Sequence, residues 1–226
     1  GLSLGARDAC RAIGKKFVSV SAIDDDPISM NVYRRNFQCL SIINRDITAY
    51  IDGKIGQGIT RSEKYFLSGK LPIHLLLAGP PCQGYSDLNN HTRRDDPRNA
   101  LYQRVTRFVE IARPDHVLVE NVPSVIHGKN REVKEAINVM KEIGYHVDNS
   151  VINLAEIGVP QKRKRHVLVA SLSKKISIKN IFKKYIIDQE RSVSWAISDL
   201  EGTKQFGIFD TPTKHTKENV ERIRYL

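Results

Sequence analysis

The sequence predicts an α/β domain built on a mostly parallel sheet with helices on both faces. Two observations carry that prediction. Short apolar runs of strand length alternate with segments of helical period through roughly the first 170 residues, the pattern of a parallel sheet covered on both sides. A chain of 226 residues with 40% hydrophobic residues also suits one such domain with a full core.

The elements follow in order. Leu2 to Ile13 reads as a helix, with Leu2, Ala6, Ala9 and Ile13 near the 3.6 period and Gly14 as a stop. Phe17 to Ile23 is a strand ending in three acids. Pro27 suits a first helical turn, and the helix runs to about Asn36. Ser41-Ile42-Ile43 is a short strand, and Gly53 to Gly69 holds a helix in its second half. Leu75-Leu76-Leu77-Ala78 is a strand, Asn89 to Asp96 a polar loop and Arg98 to Ala112 a helix. His116 to Val119 is a strand and Arg131 to Ile143 a helix closed by Gly144. Strands follow at Tyr145–Ile152 and Arg165–Ala170. After Ser171 the pattern loosens. Ser192 to Leu200 reads as one more helix, and the tail from Thr211 carries no clear element.

Lys and Arg number 36 against 25 Asp and Glu, a formal net charge of +11. That excess favours a polyanion, with nucleic acid first, although a basic protein without such a partner has the same composition. The three cysteines, Cys10, Cys39 and Cys82, show no paired spacing. Neither a disulfide framework nor a metal site is expected, and a reducing compartment is. No run approaches the roughly 18 apolar residues of a membrane span, and no signal peptide is visible. A soluble, cytoplasmic, nucleoid-associated protein is the expectation, with no membrane partner.

Pro80-Pro81-Cys82-Gln83-Gly84-Tyr85-Ser86 places one cysteine in a tight turn straight after the Leu75 strand. Such a turn holds a side chain at the carboxyl edge of the sheet, where ligands bind in open α/β folds. The thiolate is the nucleophile, so a working cysteine needs partners that favour it. Glu120, after the His116 strand, lies on the same edge. A charged carboxylate would oppose thiolate formation, but a carboxyl that shares a proton with a substrate ring would not. A cytosine ring becomes electrophilic at carbon 6 once nitrogen 3 is protonated or strongly hydrogen-bonded, so cysteine plus carboxyl is a chemically sensible pair. The alternative is an acid that caps a helix. Gln161, Arg163 and Arg165 alternate, and on an extended strand they share one face. Planar guanidinium groups there suit phosphate or a base carbonyl, while a solvated edge or localisation signal is the alternative. Asp24 and Asp46 end successive strands. Each could accept from ribose hydroxyls of a nucleoside cofactor, or serve as a helix cap or a solvated acid.

Taken together, Pro80-Pro81-Cys82-Gln83, Glu120-Asn121-Val122 and Gln161-x-Arg163-x-Arg165 resemble, in order and approximate spacing, the cytosine-5 DNA methyltransferases. Asp95 to Tyr102 and Tyr33-Arg34-Arg35-Asn36-Phe37 look like that family's connecting segments. The resemblance covers about residues 1–170 and thins toward Asp199. It implies a Rossmann-like S-adenosylmethionine-dependent methyltransferase fold, with catalytic residues 1–171 and a connection toward target recognition over 172–226.

The resemblance also implies roles. Cys82 attacks carbon 6, Glu120 binds ring nitrogen 3 and the exocyclic amine, and Asn121 braces the cysteine loop, with Gln83 and Ser86 in that loop. Arg165 contacts the base carbonyl, Arg163 holds nearby backbone and Gln161 supports the strand. Asp24 takes the ribose of S-adenosyl-L-methionine, Asp46 and Ile47 the adenine, and Pro81 and Leu101 line the cofactor. Asp25 falls where the family stacks an apolar residue on the adenine, and His74 where an acid is typical. The implied partner is double-stranded DNA with the target base flipped out. A bacterial restriction-modification or orphan modification system, a cognate restriction endonuclease and a monomeric state are also implied. Related readings are a transfer-RNA cytosine-5 methyltransferase, which Gly84-Tyr85-Ser86 disfavours, and an inactive DNA-binding remnant.

Gly1-Leu2-Ser3-Leu4-Gly5 looks like the second half of the family's Asp-x-Phe-x-Gly-x-Gly-Gly cofactor loop. The first strand, normally central to the sheet, has no counterpart, and nothing matches the recognition region or the closing motifs. The expectation is a piece of a longer chain, inefficient as an enzyme alone.

Overall fold

A computed structural model of the chain describes residues 1–81, 100–127, 131–200 and 215–225. The expected loop at Asn89 to Asp96 and the connecting segment from Asp95 to Asn99 lie outside those residues. Helix α1 spans Leu2–Ala12, β1 Ser19–Asp24, α2 Pro27–Asn36, β2 Cys39–Asn44 and α3 Arg61–Leu67. Then come β3 (Leu75–Ala78), α4 (Ala100–Ala112), β4 (His116–Asn121), α5 (Glu132–Glu142), β5 (His146–Asn153) and β6 (Lys164–Ser171). Three short helices close the chain: α6 (Ile178–Lys183), α7 (Val193–Ile197) and α8 (Lys217–Tyr225).

Local chemistry sets several boundaries. Asp26 caps α2, accepting from Ile28 N (3.1 Å) and Ser29 N (2.9 Å), with Pro27 at the first turn. Thr60 and Glu63 form a reciprocal capping box on α3. The α8 helix differs from the expectation of a structureless tail. It buries no side chain, so its sequence lacks an apolar period. Thr216 caps it through Asn219 N (3.3 Å), and Glu218 pairs with Arg222 one turn on (2.7 Å).

The sheet is divided. β1 pairs with β2 in parallel, and β3, β4, β6 and β5 form a second sheet in that order. β3 and β4 are parallel, whereas β6 runs antiparallel to both β4 and β5. Only β6 is therefore reversed: β5 runs in the direction of β3 and β4, and the hairpin that joins β5 to β6 turns the last strand back between β5 and β4. Among the described residues β1 and β3 each keep one open edge. The two sheets share no strand pairing among the described residues.

Two clusters hold the molecule together. Tyr102 and Val109 of α4, Val117 and Val119 of β4, Ala136 and Met140 of α5, and Leu168 and Ala170 of β6 form the main core. Ile51, Phe66 and Phe108 form a second, against which Ile23 and Ile43 from one sheet and Leu76 from the other pack. This second cluster spans the break.

A buried ion pair reinforces it. Arg107 on α4 donates to both carboxylate oxygens of Glu63 (Nε 2.9 Å, Nη2 2.7 Å) and to Gln57 O, Gly58 O and Glu110 Oε2. Arg107 and Glu63 are almost fully buried. Gly53 donates to Glu63 Oε1 (3.0 Å), and a methyl group on Gly53 would fall 2.7 Å from that oxygen. Only glycine allows so close an approach. The loop after β2 is thereby bolted to the helix that packs on β3 and β4.

Candidate active site

The carboxyl edge of the second sheet gathers the motifs that the sequence separates by some 80 residues. β3 ends at Ala78, and Gly79-Pro80-Pro81 follows it. Cys82, Gln83 and Ser86 lie outside the described residues. β4 runs parallel to β3, with Ala78 opposite Val119, so Glu120 and Asn121 stand just beyond the last β3 pair. β6 arrives antiparallel, with Glu120 opposite Val167 and Asn121 opposite His166.

Side-chain alternation assigns the roles. Inward residues of β4 are Val117, Val119 and Asn121, the last 3% exposed. Asn121 Nδ2 donates to the Pro80 carbonyl (3.3 Å), and its Oδ1 accepts from Val122 N (2.8 Å). A carboxamide can do both at once, so the buried side chain ties the end of β4 to the backbone two residues before Cys82. Glu120 faces the other way and is partly open to solvent. Its Oε1 lies 2.7 Å from Arg165 Nε. Its second oxygen would be 3.9 Å from a methyl group on Gly79, so the pair flanks the exit of β3.

Arg165 is oriented further by a bond from Nη1 to Lys164 O (2.8 Å). Arg163 prolongs the hairpin through its carbonyl, which accepts from Leu154 N (2.9 Å). Gln161 departs from the expected strand. Its N–H bonds to Val159 O (2.7 Å) and its carbonyl accepts from Arg163 N (2.8 Å), two successive three-residue turns. Of the three residues expected on one strand face, only Arg165 lies in β6, since the turns after Val159 run to Arg163 before the strand begins at Lys164. The side chains of Gln161 and Arg163 are exposed and make no hydrogen bond or ion pair among the described residues.

The expected cofactor residues stand at the matching edge of the other sheet. Asp24 and Asn44 end β1 and β2 as register partners, and Asn44 Nδ2 donates to Asp24 O (3.0 Å). Asp24 Oδ1 accepts from Asp26 N (2.9 Å), and Asp25 is exposed. Asp46 caps a 3-10 turn at Ile47–Ala49 and accepts from Thr48 N (2.8 Å) and Oγ1 (2.7 Å). The helix-cap alternative is thus realised at Asp46, which keeps a second carboxylate oxygen for a donor. Ile47 packs on the cluster that spans the break. Pro81 and Leu101 are half-buried. Exposed carboxylates at and just after two neighbouring strand ends fit a ligand whose sugar hydroxyls and amine are donors.

Three residues escaped the reading of the sequence. Glu63 and Arg107 look like unremarkable surface charges in two helical segments 44 residues apart, and only the capping-box spacing Thr60-x-x-Glu63 hinted at Glu63. His166 sits inside the basic run yet is fully buried beside Leu168 and Ala170 on the core face of β6. Burial pulls its pKa down to about 4, so it is neutral at pH 7. Its Nε2 lies 3.2 Å from Asn149 Oδ1, to which the Nε2–H tautomer donates.

The sequence model of the C-5 cytosine-specific DNA methylase family matches residues 1–225. The chain belongs to that family. It is 44% identical over its whole length to the type II methyltransferase M1.BsuMI of Bacillus subtilis (strain 168), of which it covers 53%. Across 76% of the chain it is 32% identical to the type II methyltransferase M.XorII of Xanthomonas oryzae pv. oryzae, covering 38% of that protein. This C-5 methylase chain therefore spans about half the length of M1.BsuMI and 38% of M.XorII. Among solved structures, the S. pombe Dnmt2 methyltransferase superposes with a TM-score of 0.62 at 20% identity, over 89% of this chain and 57% of that one. The Entamoeba histolytica methyltransferase EhMeth gives 0.53 at 20% identity, over 84% and 53%. Both likenesses bear on the fold, which is the α/β methyltransferase arrangement expected.

Proposed function

We propose that the protein containing this chain methylates carbon 5 of cytosine in double-stranded DNA through a covalent Cys82 adduct, as a type II modification enzyme. The observation that carries this reading is the 2.7 Å pair of Arg165 and Glu120, set beside a strand end that Asn121 ties to the Pro80 backbone.

The chemistry follows from those positions. Arg165 offsets the carboxylate charge of Glu120, which would otherwise oppose a thiolate at Cys82. In the substrate complex Glu120 accepts from the exocyclic amine of a flipped cytosine and shares with ring nitrogen 3 one proton taken up from solvent with the base, and Arg165 donates to the base carbonyl. The Cys82 thiolate then forms a bond to carbon 6, and the electron pair moves to carbon 5. Asp24, Asp46 and Ile47, with Asp25, Pro81 and Leu101 around them, would hold S-adenosylmethionine, which would supply the methyl group to carbon 5 and leave as S-adenosylhomocysteine. Loss of the carbon 5 proton and expulsion of the thiolate restore the ring and free Cys82. Arg163 holds adjacent DNA backbone, and Gln83, Ser86 and Gln161 support the loop and hairpin. Residues 1–171 carry this chemistry, and 172–226 lead toward target recognition.

The test is labelled methyl transfer by the full-length protein to duplex DNA and to transfer RNA in parallel, with Cys82→Ser as control. The reading expects label in DNA alone and none from the variant. Label in transfer RNA alone would replace the substrate, and transfer by Cys82→Ser would remove the nucleophile.

A further inference from the structure

Beyond the same carboxyl edge, the hairpin joining β5 to β6 carries a second arginine arrangement. After β5 a 3-10 turn, Leu154–Ile157, leads to Gly158 at φ +90, a conformation that favours glycine. Val159 N bonds back to Leu154 O (3.2 Å), and Leu154 N bonds across to Arg163 O (2.9 Å). Gly158 is therefore at the tip of the hairpin whose second strand bears Arg165. The later segment returns to this tip, since Ile187 N donates to Glu156 O (2.9 Å).

Arg191 is seated there. A methyl group on Gly158 would meet its guanidinium carbon at 3.6 Å and its Nε at 3.7 Å. That carbon also lies 4.1 Å from the centroid of the Trp195 ring, a close cation–π geometry. The guanidinium sits over the Trp195 ring, and no partner among the described residues takes its N–H groups. Arg191 is exposed, Trp195 is 59% exposed, and Arg191 makes no hydrogen bond or ion pair among the described residues. The stretch 158–165 adds Lys162, Arg163, Lys164 and Arg165 and no carboxylate. Glu156, Asp188 and Glu190 stand in the adjoining stretches, and none of them pairs with Arg191.

We propose that Arg191, oriented by Gly158 and Trp195, is a contact to the phosphate backbone of duplex DNA flanking the flipped cytosine. The assignment rests on the reading of the protein as a DNA methyltransferase. A stacked guanidinium with a free N–H edge matches the bidentate geometry of a phosphate. Holding it in advance lowers the ordering cost of binding. Its place on the hairpin tip, and not at the Glu120–Arg165 pair, suits a contact that positions the duplex without reading bases. Successive phosphates of one strand are about 3.4 Å apart along the axis, so a group several residues along the hairpin from Arg165 reaches a phosphate a few nucleotides from the target.

The experiment measures binding of the full-length protein to two fluorescent duplexes of unrelated sequence by anisotropy, between 50 and 200 mM salt, for wild type, Arg191→Ala and Arg191→Lys. The alanine variant is expected to weaken both duplexes alike and to reduce the slope of log affinity against log salt by about 0.9. The lysine variant keeps the charge and is expected to keep the slope. An alanine variant with the wild-type slope overturns the proposal, as it would if Arg191 served a carboxylate elsewhere in the chain; so does a lysine variant that loses the slope. If wild type still traps 5-fluorocytosine DNA in that case, the functional reading stands and only Arg191 falls. A wild type that binds neither duplex removes both.

Discussion

Asn121 Nδ2 lies 3.3 Å from the carbonyl oxygen of Pro80, a bond that spans 41 residues of sequence. It joins two strand ends at the level of the backbone, two residues before Cys82. Because the side chain is 3% exposed, its bonds are not readily replaced by water.

Replacing Asn121 by Ala therefore strands the Pro80 carbonyl and the Val122 amide together. The expected loss is about 1–3 kcal/mol, which for a chain of this size lowers Tm by about 2–4 °C per kcal/mol. Thermal unfolding of the full-length variant checks this. On the proposed reading, in which Asn121 braces the segment leading to Cys82, methyl transfer should also fall at a temperature where the variant remains folded.

Glu120→Gln keeps the shape but can neither share a proton with ring nitrogen 3 nor offer Arg165 a charged partner. Transfer is expected to fall by about 10²–10⁴, the usual contribution of a positioned acid, with little change in Tm because Glu120 is partly exposed. Arg165→Ala should also lower transfer, by leaving the Glu120 charge to oppose the thiolate. Initial rates at saturating DNA and cofactor measure both.

The Glu63–Arg107 pair behaves differently, for both groups are almost fully buried. Removing either partner leaves an uncompensated buried charge, at a cost of about 3–5 kcal/mol. Arg107→Met is the sharper test, since it strands Glu63 together with the Gln57 and Gly58 carbonyls. The guanidinium holds the Glu63 carboxyl down to about 2. A carboxylate depressed in the folded state stabilises above its unfolded value of about 4.3. That stability is lost as pH falls toward 2. Urea unfolding of wild type and Arg107→Met across this window should show a slope in wild type that is largely absent from the variant.

His166 gives a second, separate pH window. Burial lowers its pKa to about 4, whereas the unfolded side chain titrates near about 6.5. Between those values the unfolded state binds more protons, so stability rises with pH from about 4 to about 6.5 and is complete above that. His166→Gln removes the titrating group, and Tm measured across the window should lose that part of its slope.

The α/β alternation was legible because strand-length apolar runs and capped helices are local signals. Pro27 marked the start of α2 and the helix was expected to end near Asn36, as it does, and the motif order placed Glu120 and Asn121 at the end of one strand. The bend at Gln161 was not legible, since alternating Gln161, Arg163 and Arg165 look extended until Pro160 is known to start a reversal. Nor was the Glu63–Arg107 pair, whose partners meet only when α4 packs beside α3. The antiparallel course of β6 also depends on tertiary pairing: nothing in its apolar run distinguishes a parallel from an antiparallel neighbour. The α8 helix rests on a Thr cap and one ion pair and offers no apolar period to read.

The central claim is that Cys82, Glu120 and Arg165 act on one cytosine ring. It is tested most directly by incubating the full-length protein and S-adenosylmethionine with duplex DNA carrying 5-fluorocytosine in the target sequence, then resolving the products under denaturing conditions. The fluorine cannot leave as a proton does, so a denaturation-stable protein–DNA adduct should accumulate, should map to Cys82 by mass spectrometry, and should vanish in Cys82→Ser. Methylation of ordinary cytosine with no adduct, or an adduct that survives Cys82→Ser, would contradict the account.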